Sequence, residues 1–235
     1  MPETTFIIKR YNPEKGVFYT SEYKVPYESD TTILSGLIYI KDYLDRTLSF
    51  RYSCRMASCG SCGMVVNKKP TLVCRTLIES VKKPIYIEPL YNFPIIKDLV
   101  VDIDIFLDKL KFVKSYIIRE KEEDLDKEYI VKPEQLDLIK HSSSCINCML
   151  CYAACPVFGS DEEFIGPAAL AILYRYLHDP RDQAKSERIK IASLKNSAYM
   201  CSMVGQCTVV CPKGVDPSFH IQRLKVISTL NNLFS

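Results

Sequence analysis

All eleven cysteines of this 235-residue chain fall in three short stretches, and their spacing limits the fold and chemistry more than any other feature. The N-terminus, MPETTFIIKRYNPEKG, carries no hydrophobic leader. That predicts a reducing compartment, where clustered cysteines serve as metal ligands more often than as disulfides. An odd number also leaves one thiol over in any complete disulfide framework.

The first stretch, SCRMASCGSCG…LVC, holds Cys54, Cys59, Cys62 and Cys74 in the order C-x4-C-x2-C-x11-C. Its C-x4-C-x2-C core is the plant-type [2Fe–2S] pattern. A tight loop must aim three sulfurs at one small core. Gly60 and Gly63, lacking Cβ, let the backbone curl around it. Ser58, Ser61 and the loop N–H groups are then placed to hydrogen-bond the cluster sulfides. The competing reading is zinc, which usually takes two short C-x2–4 pairs. Here a single pair carries an extra cysteine upstream.

The second stretch, SCINCMLCYAACP, places Cys145, Cys148, Cys151, Cys155 and Pro156 on the C-x2-C-x2-C-x3-C-P frame of bacterial ferredoxins at every position. The third, CSMVGQCTVVCP, keeps Cys201, Cys207, Cys211 and Pro212 on the same frame but has Val204 in the second slot. In two-cluster ferredoxins the fourth cysteine of each run ligates the other run's cluster. The expected sets are therefore Cys145, Cys148, Cys151 and Cys211 for a [4Fe–4S] cluster, and Cys155, Cys201 and Cys207 for the other. Valine cannot ligate iron, so the second site has three thiolates, and [3Fe–4S] is its natural occupant. Four, four and three ligands use all eleven cysteines. The alternative at Val204 is a [4Fe–4S] cluster with an open corner for water or substrate, but an aliphatic side chain over that corner disfavours it.

Outside these stretches the sequence is quiet. Hydrophobic residues make up 47% and charged ones 25%, with a net charge of +3, a balance that argues for neither nucleic acid nor an anionic membrane. No apolar run approaches the roughly 20 residues of a membrane span. His141, His178 and His220 lie off the ligand spacings, which excludes a Rieske centre. No nucleotide, hydrolase or metalloprotease motif is present. Three redox centres without a catalytic constellation predict an electron relay with no substrate chemistry of its own.

The first 105 residues read as strands. TFIIKRY and GVFYTSEYKVPY flank the turn NPEKG, and GMVVNKKPTLVC forms a second hairpin turning at Asn67–Pro70. PIYIEPL is a last strand. SDTT caps a helix on which Ile33, Leu37, Ile40 and Leu44 share a face. After Pro94 the pattern is helical: DLVVDIDIFLDKLKFV has an apolar face, and IREKEEDLDKEY is a solvated segment. Pro133 and Pro167 open helices, Pro180 stops one, and Asp216–Pro217 starts the last. The expected fold is α+β: a ferredoxin-like (β-grasp) domain over 1–105 and an all-α, bacterial-ferredoxin-like domain over 106–235.

SCRMASCGSCGMVVN, CINCMLCYAACPVFG, EFIGPAAL and CSMVGQCTVVCPKGVDP together resemble the iron–sulfur subunit of succinate dehydrogenase and fumarate reductase, respiratory complex II. The resemblance runs in order over nearly the whole chain. It implies a subunit between an FAD-containing catalytic subunit and quinone-binding membrane anchor subunits, peripheral on the cytoplasmic face of the inner membrane. The [2Fe–2S] cluster would lie towards the flavin and the [3Fe–4S] cluster towards the quinone. Ubiquinone-type succinate dehydrogenases carry a tryptophan shortly after the first C-P and a histidine after the first cysteine of the second run. This chain has no tryptophan, reads CPVFG at the former and has Ser202 at the latter. It therefore resembles the fumarate reductase branch more closely. The resemblance also marks Lys225, Val157, Phe158 and Ser202 as quinone-proximal candidates, with a solvated lysine as the plain alternative at 225. A free ferredoxin-type carrier is the other class of function, and co-purification with a flavoprotein separates the two.

Overall fold

A computed structural model describes residues 2–120 and 128–234. They form two compact units: residues 2–103 with 146–154, and 104–145 with 155–234. The expected boundary at 105/106 thus sits beside the observed change at 103/104, but the segment 146–154 groups with the first unit.

The first unit is a mixed five-stranded sheet. Strands β1 (Glu3–Asn12) and β2 (Val17–Pro26) pair antiparallel over their full length. The turn between them closes because the Asn12 side chain accepts from the N–H groups of Glu14 and Lys15, and Gly16 adopts a φ of 65°. Strand period two sends Phe6, Ile8 and Arg10 inward, all buried. Strands β3 (Gly63–Val66) and β4 (Lys69–Leu72) form the second hairpin, and β5 (Ile85–Glu88) runs parallel to β1 and antiparallel to β3. The order is β2-β1-β5-β3-β4. The turn of the second hairpin is shorter than expected. It consists of Asn67 and Lys68, both at positive φ, and Pro70 lies inside edge strand β4, where a missing N–H is tolerated.

The helix Ile33–Tyr39 covers one face of the sheet, its N-terminus capped by the Thr32 hydroxyl. Ile33, Leu34 and Leu37 are buried, each contributing about 1.5–3 kcal/mol. A Cβ on Gly36 would stand 2.7 Å from the Phe6 ring, so glycine sets how closely the helix seats. The expected apolar face fails at its last member. The chain continues as a wide π-turn, Ile40–Leu44, which shifts the register and leaves Leu44 48% exposed. A second small sheet, β6 (Ile95–Lys97) with β7 (Val100–Val101), stands where the sequence suggested helix, and the helix begins only at Asp104.

Arg10 ties the unit together. Its guanidinium donates to both Asp98 oxygens at 3.0 Å, to Asp45 at 2.6 Å and to Thr47 at 2.9 Å. Burial alone would lower its pKa, but the Asp98 hydrogen bonds and charge outweigh that and raise it. The same network holds the Asp45 carboxyl below the usual carboxylate range: its own desolvation is outweighed by hydrogen bonds from Thr47 and Tyr23 and by the Arg10 charge. Since Asp98 also accepts from Ser49 N–H, the network fixes the start of the segment leading to Cys54.

Every regular element of the described second unit is helical. The helix Pro167–His178 is its centre, with Ala168 to Leu173 almost wholly buried. Against it pack Pro133–Ser143, Lys185–Ala192 and Pro217–Phe234. Pro133, Pro167 and Pro217 each open a helix, and Asp179–Pro180 ends one, as expected. Buried Arg188 pairs with Asp182 and donates to the carbonyls of Val113, Lys114 and Tyr116, closing the end of Asp104–Phe112. Most of IREKEEDLDKEY lies outside the described residues. No helix among the described residues is long and apolar enough to cross a membrane.

Two histidines flank Tyr174, with ring centroids at 4.1 Å for His178 and 4.7 Å for His220. Burial pushes His220 down to about 4 and lowers His178. A histidine with a depressed folded pKa contributes its full stability above the unfolded value of about 6.5 and loses it as pH falls towards the folded one. Lowering pH from 7 to 5 should therefore reduce the melting temperature less in His220→Phe than in the parent protein; parallel curves would count against this. Asp98→Ala should destabilise the first unit by about 3–5 kcal/mol, because Arg10 is left buried without its main partner. Denaturant unfolding followed by circular dichroism measures that loss.

Candidate metal centres

Cys54 and Cys59 lie on the loop before β3, Cys62 immediately precedes β3, and Cys74 follows β4. The hairpin register sets Gly63 against Leu72, and Val73 N–H donates to the Cys62 carbonyl, so pairing brings Cys62 and Cys74 together. The loop backbone turns its N–H groups inward. Those of Met56, Ser58 and Cys59 point at Cys54 Sγ at 3.4, 3.3 and 3.2 Å. Positive φ at Arg55, Ala57 and Gly60 makes this nest. Hydrogen bonds from Ser61 and from the backbone of Cys54 lower Cys59 to about 6, so this sulfur is held ready as a thiolate. Burial, with the Cys74 hydrogen bond, pushes Cys62 the other way. Four thiols on one loop and hairpin, with backbone N–H groups turned inward, fit a [2Fe–2S] core.

The segment 146–154 packs within the same unit. Asn92 Nδ2 donates to the Tyr152 carbonyl at 2.9 Å, and the Phe93 and Tyr152 rings meet at 6.2 Å. Its approach to the first cysteine loop is close. A Cβ on Gly60 would stand 2.6 Å from Ile146 O and 2.9 Å from Cys148 Cα, and one on Gly63 would stand 3.0 Å from Cys148 O. Gly60 is also at φ 76°. These two glycines let two cysteine runs touch.

Cys145, Cys148 and Cys151 begin the second run, but the expected quartet is divided between the units, with Cys148 and Cys151 in the first and Cys145 and Cys211 in the second. Cys211 Sγ accepts from Val215 N–H at 3.4 Å.

Cys155, Cys201 and Cys207 all belong to the second unit and line one small hollow together with Val204, Val157 and Ile221. Cys155 caps the helix Pro156–Ser160, its Sγ accepting from Phe158 N–H at 3.5 Å. Burial and the neighbouring Cys155 and Cys201 raise Cys207 to about 11, and burial raises Cys155. The buried Cys155 and Cys207 thiols ionise only if cationic metal offsets the cost, as ligation does. Among the described residues no three Cys, His, Asp or Glu side chains close around a single ion-sized point. A multi-iron core holds its thiolates farther apart than one ion does.

Both bacterial-ferredoxin runs share one backbone trace that the sequence did not announce. Asn147 and Met149 are left-handed in the first, Met203 and Gly205 in the second, each pair two and four residues after the opening cysteine. A short helical turn follows each, at Leu150–Ala153 and Gln206–Val209. The loop that would present a second cysteine is thus intact and presents Val204, 56% exposed. Gly205, placed where the first run forces Met149 to a φ of 62°, was the available signal.

Among the quinone-proximal candidates, Val157 and Ser202 line the hollow. Lys225 is half-buried and donates from Nζ to the Cys201 carbonyl at 2.7 Å, so it is not a freely solvated lysine. Phe158 is fully buried and meets the site through its backbone N–H.

Together the mixed sheet, the helical unit and the cysteine loops define a two-part iron–sulfur protein. A 2Fe-2S iron-sulfur cluster binding domain family matches residues 5–108, and a 4Fe-4S dicluster domain family matches residues 141–215. The chain is 47% identical over 229 residues to the fumarate reductase iron-sulfur subunit of Mycobacterium tuberculosis, covering 96% of this chain and 93% of that one. It is 46% identical over 240 residues to the same subunit of Haemophilus influenzae, covering 97% and 94%. The mitochondrial succinate dehydrogenase iron-sulfur subunit of Candida glabrata is 36% identical over 226 residues, covering 94% and 89%. In fold, it is similar to a chain of the Mycobacterium smegmatis Sdh1 complex, with a TM-score of 0.89 at 22% identity, covering 97% of this chain and 96% of that one. The chain belongs to the family of fumarate reductase and succinate dehydrogenase iron–sulfur subunits, the electron-transfer subunits of complex II oxidoreductases.

Gly60→Ala should lower [2Fe–2S] occupancy, because the added Cβ meets backbone that cannot yield and the φ is unfavourable. The visible absorbance and the reduced-state electron paramagnetic resonance (EPR) signal of that cluster report it; undiminished occupancy would show that the close approach is not needed.

Proposed function

We propose that the chain relays electrons between an FAD-containing subunit that interconverts fumarate and succinate and quinone held by membrane anchor subunits. Cys54, Cys59, Cys62 and Cys74 would hold [2Fe–2S]. Cys145, Cys148, Cys151 and Cys211 would hold [4Fe–4S], and Cys155, Cys201 and Cys207 would hold [3Fe–4S]. The observation that carries the reading is the three-thiol hollow with Val204 in the second ligand slot of an otherwise intact ferredoxin loop. The clusters supply one-electron chemistry. The chain's own part is to fix thiolates, exclude water and keep the centres close.

In this reading the functional division is 1–105 for the first centre and 106–235 for the other two, and the chain works from the cytoplasmic face of the inner membrane through its partners. Lys225, Val157, Phe158 and Ser202 would stand on the quinone side. The fumarate-reducing direction is favoured because the M. tuberculosis and H. influenzae fumarate reductase subunits stand at 46–47% identity, against 36% for the Candida glabrata succinate dehydrogenase subunit.

The assembled complex should contain about nine iron and ten sulfide per chain from these three centres. A [3Fe–4S] EPR signal should appear on oxidation and vanish on mild reduction. Val204→Cys should convert that signal towards [4Fe–4S] and slow quinol turnover. Unchanged spectra in this variant would reject the crossed ligand assignment, and zinc in place of iron would reject the relay.

A further inference from the structure

The helix Ile33–Tyr39 covers only one face of the five-stranded sheet. On the other face lies a hollow of about 930 Å³, within the size range of small-ligand pockets. Its floor carries Ile7, Phe18 and Tyr86; Phe18 is 53% and Tyr86 50% exposed. Lysines rim it from three separate segments: Lys9 on β1, Lys68 on the β3–β4 turn, and Lys82 and Lys83 before β5. Glu88 is the one carboxylate in the lining. It is already engaged, lying 3.6 Å from Lys9 and accepting from the Tyr91 hydroxyl at 2.6 Å. Lys83 reaches the Tyr27 hydroxyl. Lys68 and Lys82 have no carboxylate partner among the described residues.

The rim is held in place. Asn67 Nδ2 donates to the Lys82 carbonyl at 2.7 Å, its Oδ1 accepts from Tyr86 N–H at 2.9 Å, and its own N–H donates to the Tyr86 carbonyl at 2.9 Å. Lys68 is at φ 68°, the second central position of a two-residue hairpin turn, where glycine is the favoured residue. A lysine there gives up backbone comfort and places a cation at the mouth of the hollow.

We propose that this hollow binds a nucleoside polyphosphate, with the base against Phe18 and Tyr86 and the phosphates among Lys68, Lys82 and Lys83. Exposed aromatic rings stack on a planar base of any identity, and ammonium groups without a carboxylate partner recognise phosphate. A protein partner is the poorer fit, because interface cores are depleted in lysine. The proposal is independent of the electron-relay reading.

The test is calorimetric titration of the purified assembled complex with ATP, adenosine and tripolyphosphate. ATP should bind saturably and more tightly than either fragment. Lys68→Gly should weaken ATP about tenfold, the loss of one charge-assisted contact, while cluster spectra stay unchanged and the melting temperature holds or rises. Tyr86→Ala should weaken ATP and adenosine but not tripolyphosphate. Absence of saturable ATP binding, equal binding in both variants, or tripolyphosphate binding as tightly as ATP would each overturn the proposal. So would loss of a partner subunit on purification of Lys68→Glu, which would make this face a protein interface.

Discussion

Sulfur must be anionic to hold iron, yet this fold puts three of its sulfurs where anions are costly. Burial raises Cys62, Cys155 and Cys207, and the last two also repel one another. The loops also aim backbone N–H groups at sulfur: three at Cys54 and one each at Cys59, Cys155, Cys201 and Cys211. What remains has to come from the metal. Such sites are stable when loaded and poorly disposed when empty, which couples folding of the loops to cluster insertion.

A relay also needs its centres near one another, and here the limiting atoms are backbone. Gly60 and Gly63 lie against the Cys148 backbone at distances no Cβ would allow. The first loop and the run after it are therefore in contact within one compact unit, although nearly ninety residues separate Cys59 from Cys148. Arg10 supports this from below. By binding Asp45 and Asp98, the latter also holding Ser49 N–H, it fixes the segment that leads into the loop carrying Cys54 and Cys59.

Much of this could be read without coordinates because its causes are local. The β1–β2 hairpin follows from strand residues around NPEKG, and the proline-led helices follow from ring geometry at the first turn. The cysteine frames are legible because ligand spacing is a property of one loop. Misreadings came where a distant partner decided. Val100 and Val101 have helical company in sequence but pair with β6. Leu44 fits a helical face until the π-turn moves it outward. The β3–β4 turn looked four residues long because Pro70 reads as a breaker, whereas an edge strand accepts it.

The sequence by itself settled the inventory: eleven thiols on three recognisable frames, one of them with valine in a ligand slot. That was possible because ligand type and spacing are set along the chain. Only the tertiary structure decided that Val157 and Ile221 line one hollow with Cys155, Cys201 and Cys207, that Lys225 is tied to the Cys201 carbonyl, and that Asp98, far along the chain, neutralises Arg10. Those facts depend on pairs of groups many residues apart, whose meeting is governed by packing and by the cost of burying charge, and neither leaves a periodic mark in the chain.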